Sequence, residues 1–128
     1  MIYLDSSVAL AHLLDERRAP PSALWDEPLV SSQLLEFEVW NRLHALGFAR
    51  SHGESTRFLI GQVLLIELSR PKLARALEAF PVPVRTLDGL HLATMNFLRS
   101  QGRDVQLASY DARLLAGARA LGIDPWPL

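Results

Sequence analysis

The sequence predicts a three-layer α/β/α sandwich on a mostly parallel five-stranded sheet. Short apolar segments alternate with stretches whose apolar residues recur at helical spacing, the pattern of successive βαβ units. Those segments are continuously apolar rather than alternating, as strands are when helices cover both sheet faces.

Ile2-Tyr3-Leu4 reads as a short buried strand, and Ser6-Ser7 stand where they can cap a helix from Val8 to Leu14. Pro21-Ser22 opens a short helix to Trp25, and Leu29-Val30-Ser31 is a second strand. Between Ser32 and Phe48, Leu35, Val39, Leu43 and Leu46 recur at three- and four-residue steps, which is helical. Ser51 or Ser55 starts the next helix. Val63 to Leu68 is strand-like, and its core, Val63-Leu64-Leu65-Ile66, suits a buried strand. Pro71 sits well in the first turn of a helix through Phe80. Thr86 caps a long helix through Arg99, ended by Gly102. Val105 to Ala108 is a strand, Asp111 to Leu121 a helix stopped by Gly122, and Ile123 to Trp126 a fifth strand at the edge. Pro20-Pro21 and Pro81-Val82-Pro83 are turns rather than boundaries, so residues 1–128 are expected to form a single domain.

Composition narrows the function classes. The 128 residues carry 13 Lys+Arg against 14 Asp+Glu, a net charge of −1, with 49% hydrophobic residues and no Cys. Disorder is excluded by apolar content, and thiolate metal sites, disulfides and Cys nucleophiles by the missing cysteine. No overall basic signature for nucleic acid is present, although net charge does not say where charges sit. All basic residues but Lys72 are Arg, whose fork suits phosphate, although coding bias explains the same count. No basic leader opens the chain, and no apolar run is long enough to span a bilayer, so a soluble cytoplasmic protein is expected.

In parallel sheets, ligands bind beyond the carboxyl ends of the strands. Asp5 follows the first strand and Asp111 the Val105–Ala108 strand, while Asp88 lies in the first turn of the Thr86 helix. From the helix after the second strand comes Glu38 or Glu36. Glu38 shares a face with Leu34, Leu35 and Arg42 and is favoured. Right-handed βαβ connections bring these starts to one edge, where four acids would repel one another without a cation. Oxygen donors suit Mg²⁺ or Mn²⁺. Each acid also has a plainer role: Asp5 and Asp111 as helix caps, Asp88 as a complement to the helix dipole. Ser6 and Ser109 adjoin the acids and are candidates to hold water near a metal. His91, one turn after Asp88, reads first as a buried structural histidine, with contact to substrate or metal shell as the alternative. His12, His44 and His52 lack ligand spacing. No Gly-rich phosphate loop and no G-x-S-x-G elbow occurs.

Four segments together resemble the PIN-domain family, and within it the VapC-type toxins of bacterial toxin–antitoxin pairs. They are Ile2-Tyr3-Leu4-Asp5-Ser6-Ser7, Glu38-Val39-x-x-Arg42-Leu43, Arg85-Thr86-Leu87-Asp88-Gly89-Leu90-His91-Leu92-Ala93-Thr94 and Ser109-Tyr110-Asp111-x-Arg113-Leu114. Gly89 stands where Ala is common in the motif. The resemblance covers essentially the whole chain and implies a PIN-like sandwich and a metal-dependent endoribonuclease. It implies Asp5, Glu38, Asp88 and Asp111 as the acid set around Mg²⁺ or Mn²⁺, with a metal-activated water as nucleophile, leaving a 5′-phosphate and a 3′-hydroxyl. It also implies a cognate VapB-type antitoxin, an RNA substrate and a homodimer. Arg85 and Arg113 are candidates to hold flanking phosphates. Trp40, Phe48 and Phe58 read as core residues, with a dimer contact as the alternative. Two other functions fit less well: a PIN-like module that has lost activity and only docks a partner, and a metal-dependent phosphohydrolase for a small phosphoester, which lacks its D-x-D signature at Asp5-Ser6-Ser7.

Overall fold

The computed structural model describes residues 1–128. Four strands, β1 (Ile2–Leu4), β2 (Leu29–Ser32), β3 (Leu64–Ile66) and β4 (Gln106–Ala108), form one sheet in the order β3-β2-β1-β4. All pairings are parallel, with Ile2 opposite both Leu29 and Gln106, and Leu4 opposite Ala108. Six helices complete the fold: α1 (Ser6–Leu13), α2 (Leu34–Leu46), α3 (Gly53–Gly61), α4 (Arg70–Ala76), α5 (Thr86–Ser100) and α6 (Ala112–Ala120).

The strand period of two divides β1 between two cores. Ile2 and Leu4 face one side with Val8 of α1, Leu35, Val39 and Leu43 of α2, and Leu59 and Ile60 of α3. Tyr3 faces the other side with Leu92, Met95 and Leu98 of α5 and Leu114 and Ala118 of α6. This is the expected α/β/α layering. Burying each of these Leu side chains contributes roughly 2 kcal/mol, so both layers are held chiefly by apolar area.

Three sequence expectations change. The sheet has four strands, not five: Ile123–Trp126 makes only an isolated bridge, with Leu107 N–H donating to the Asp124 carbonyl and Trp126 N–H to the Leu107 carbonyl. Pro125 sits between them, and the pairing with β4 ends at this one bridge. The apolar run Val63–Ile66 is an edge strand rather than a buried one, and Leu64 is 59% exposed. Phe58 is not a core residue: it is 70% exposed on α3, and Phe48 is 40% exposed, while Trp40 is partly buried against the first core.

Caps and boundaries also shift. Asp5, not Ser6 or Ser7, is the N-cap of α1. His52 precedes α3, and Ser51 donates to the Phe48 carbonyl instead of capping. Arg85 stands at the N-cap position of α5, so Thr86 opens that helix. α4 stops at Ala76, short of Phe80. Past α5 and α6 the expected Gly102 and Gly122 take positive φ, 80° and 78°, which only Gly adopts at no steric cost. No helix is long and apolar enough to cross a membrane.

Because every strand runs the same way, α1, α2 and α6 begin at one edge, beyond the ends of β1, β2 and β4.

Candidate active site

At that edge a pocket of about 480 Å³ is lined by Asp5, Ser6, Glu38, Arg85, Asp88 and Asp111, among others. The structure thus brings the four sequence-nominated acids around one cavity. Glu36, in the first turn of α2, is exposed and does not line it.

Asp5 leaves the end of β1, where its own N–H still bonds the Ala108 carbonyl of β4 at 3.0 Å. Its side chain is 5% exposed. All its side-chain hydrogen bonds end on Oδ2: from Ser7 Oγ at 2.5 Å, Ser109 Oγ at 2.8 Å and Ser7 N–H at 3.4 Å. Burial pushes the Asp5 carboxyl above its ordinary range. The Ser7 and Ser109 hydroxyls pull back without cancelling that effect, and the charge of Glu38 adds to it. Oδ1 carries no protein hydrogen bond and is free to serve as a ligand atom.

Glu38 reaches in from the second turn of α2. Its Oε2 accepts from Ser6 Oγ at 3.2 Å, and its Oε1 meets His91 Nε2 at 2.5 Å. His91 is buried on α5. Burial opposes its charge, but the hydrogen bond and charge of Glu38, with those of Asp5 and Asp88, outweigh that and lift its pKa. One ligand atom from each of Asp5, Glu38 and His91 lies within 4.8 Å of the others.

Asp88 and Asp111 are engaged differently. Arg85 Nε donates to Asp88 Oδ2 at 2.8 Å and Nη2 to Asp111 Oδ2 at 2.6 Å. Asp111 also caps α6, its Oδ1 accepting from the N–H groups of Arg113 and Leu114. Partial burial alone would raise the Asp111 carboxyl, but Arg85 and those two N–H groups hold it below the ordinary carboxylate range. Arg85, nominated from sequence as a phosphate ligand, spends its guanidinium on two acids. Arg113 lies outside the acid pocket, in a neighbouring groove with Val82 and Val84.

The donor set fits a hard divalent cation. It is dominated by carboxylate oxygens, one of them is buried and destabilised by its own charge, and no lysine or arginine pairs with Asp5 or Glu38. Sequence reasoning missed Ser7, Tyr3 and Ser32. The Asp5-x-Ser7 spacing is an Asx-turn signal and was available. Tyr3 read only as core, although a buried tyrosine hydroxyl ordinarily needs a partner.

A parallel α/β/α sandwich with an acid pocket at its carboxyl edge defines the class. The PIN domain family model matches residues 2–123. The chain belongs to the PIN domain family. Among curated proteins it is 32% identical over 126 residues to Ribonuclease VapC46 of Mycobacterium tuberculosis (strain ATCC 25618 / H37Rv), covering 95% of this chain and 93% of that protein. It is 26% identical over 129 residues to Ribonuclease VapC47 of M. tuberculosis (strain CDC 1551 / Oshkosh), with the same coverage of 95% and 93%. Among solved structures, a toxin–antitoxin complex from Klebsiella pneumoniae contains a chain of the same fold, with a TM-score of 0.68, 19% identity and 94% of each chain covered.

Proposed function

We propose that this protein is a toxin endoribonuclease of a toxin–antitoxin pair, which hydrolyses RNA phosphodiester bonds with water at the pocket formed by Asp5, Glu38, Asp88 and Asp111. The observation that carries the reading is the convergence of these acids, from β1, α2, α5 and α6, on one cavity in a PIN fold. Two curated ribonucleases related along 95% of the chain support it.

Asp5, through Oδ1, and Glu38 are the residues best suited to hold the cation, proposed to be Mg²⁺ or Mn²⁺, with Asp88 and Asp111 lining the same pocket. When bound, such a cation lowers the pKa of water and offsets charge building on the phosphate. The chain's own residues do the rest. Ser7 and Ser109 fix the Asp5 carboxylate, and Ser6 fixes Glu38. Arg85 keeps Asp88 and Asp111 in place and offsets their charge. Single-stranded RNA, whose bases can splay away from the cut bond, is the form of substrate this function calls for. The partner is a VapB-type antitoxin, the protein works in the cytoplasm, and a homodimer is the proposed assembly. A small phosphoester as substrate is disfavoured because the pocket offers no arginine free of carboxylates to grip a terminal phosphate. Incubating the purified chain with RNA and with a small phosphate monoester, each with Mg²⁺, Mn²⁺ or chelator, tests the reading. Metal-dependent cleavage of RNA alone is the expected result.

A further inference from the structure

Tyr3, His91 and Glu38 form a continuous hydrogen-bonded row leading from beneath the sheet to the acid pocket. The Ser32 N–H donates to the Tyr3 hydroxyl at 3.0 Å, that hydroxyl pairs with His91 Nδ1 at 2.7 Å, and His91 Nε2 meets Glu38 Oε1 at 2.5 Å. Tyr3 and His91 are 0% and 1% exposed, so neither ring is placed to grip RNA. A carboxylate only accepts, which makes Nε2 the donor to Glu38. A ring nitrogen that donates a hydrogen bond carries its proton where a cation would sit, and Nδ1 is already turned to Tyr3. Proximity alone would make His91 a third ligand beside Asp5 and Glu38. The hydrogen bonding argues otherwise.

We propose that His91, anchored by Tyr3, is a positioning residue that fixes the Glu38 carboxylate for a divalent cation and does not itself bind the metal. The inference rests on the reading of Glu38 as a cation ligand. Its Oε2 is steadied separately by Ser6 at 3.2 Å, so the two oxygens are held from two elements, α1 and α5. Such supporting partners orient metal-binding carboxylates, and losing one costs about 10–100-fold in metal affinity or activity.

The test titrates Mn²⁺ into the full chain by calorimetry and records electron spin-echo modulation of the Mn²⁺-loaded protein. His91→Gln keeps an amide donor toward Glu38 and is expected to stay close to wild type in Mn²⁺ affinity. His91→Leu is expected to lose about 10–100-fold, with its melting temperature measured alongside to separate misfolding. The spin-echo signal should contain no directly bonded nitrogen. A bonded imidazole nitrogen overturns the proposal, as does a loss in His91→Gln equal to that in His91→Leu. If wild type binds no Mn²⁺ at all, the cation reading of Glu38 is what fails. The row is then judged in the metal-free chain by the His91 Nε2–H proton resonance. A shift of that resonance in Glu38→Gln supports the row, and no shift overturns it.

Discussion

Arg85 and Asp111, 26 positions apart in sequence, are joined at 2.6 Å through Nη2 and Oδ2. The same guanidinium holds Asp88 through Nε at 2.8 Å. Clustered acids call for a positive charge, and here the chain supplies one itself for two of the four. Hydrogen bonds to both acids stabilise the charged guanidinium further. The Arg85 side chain is 49% exposed, so solvent screens the bond. Arg85→Met is expected to lower the melting temperature of the chelated protein. Added Mg²⁺ should then recover more stability than it adds to wild type, and a thermal melt with and without metal reads this directly.

Asp111 caps α6 and, on the proposed function, serves the acid pocket, and substitution separates the two. Asparagine caps helices about as well as aspartate. Asp111→Asn should therefore fold with near-native stability yet lose cleavage, whereas Asp111→Ala should also lose about 1 kcal/mol from the uncapped α6. Chemical denaturation beside an RNA cleavage assay distinguishes the two effects.

Much of this architecture was legible because it depends on local pattern. Ile2-Tyr3-Leu4 before Asp5, the spacing of Leu35, Val39 and Leu43, and Gly102 and Gly122 at helix ends are written in neighbouring residues. What stayed hidden depends on tertiary context. A continuous apolar run such as Val63–Ile66 reads the same at a sheet's centre and at its edge, and only strand order reveals that Leu64 is exposed. Ile123–Trp126 has strand composition, but it pairs with β4 only through the one bridge at Pro125. The acid positions were readable as strand ends and helix starts. Their partners were not: Arg85 with Asp111, and His91 with Tyr3, lie far apart in sequence.

The two glutamates of α2 give a contrast on one helix. Glu36 is exposed, while Glu38 lines the pocket. Glu36→Gln is expected to change stability by no more than about 0.5 kcal/mol and to leave activity intact. Glu38→Gln is expected to cost more than the ~10–100-fold typical of a lost supporting contact. Steady-state cleavage rates of both variants check this.

Two titrations favour the metal-free protein at lower pH, and Asp111, held low by Arg85, opposes them only below the ordinary carboxylate value. Burial raises the Asp5 carboxyl, so the folded state takes up a proton there more readily than the unfolded chain. Stability from this group rises as pH falls through its raised pKa toward the ordinary carboxylate value. His91, raised above 6.5 despite burial, contributes stability that is complete below that value and lost as pH climbs through its folded pKa. Both push the same way. The chelated protein should melt higher at about pH 5.5 than at about pH 7.5. Asp5→Asn should raise its melting temperature at about pH 7.5 and flatten the dependence.

Two glycines differ in what a methyl group would meet. At Gly89, inside α5, an added Cβ would contact Phe80 at 3.5 Å and Val84 at 3.6 Å, ordinary packing distances. Gly89→Ala is expected to stabilise the fold by roughly 0.5–1 kcal/mol through helix propensity. At Gly117, where α6 meets α5, a Cβ would lie 2.8 Å from Leu92 Cδ1, and Leu92 is fully buried. Gly117→Ala should destabilise by about 1–3 kcal/mol, as overpacking does. Urea midpoints of the two variants should move in opposite directions.

The most direct test of the account is the chemistry of the cut ends. Purified wild type and Asp5→Asn are incubated with RNA, with Mg²⁺ or with chelator, and the termini are mapped. Water-driven cleavage at the acid pocket predicts 5′-phosphate and 3′-hydroxyl ends, produced only by wild type and only with metal. Cleavage that survives chelator or Asp5→Asn, or ends carrying a 2′,3′-cyclic phosphate, would contradict it.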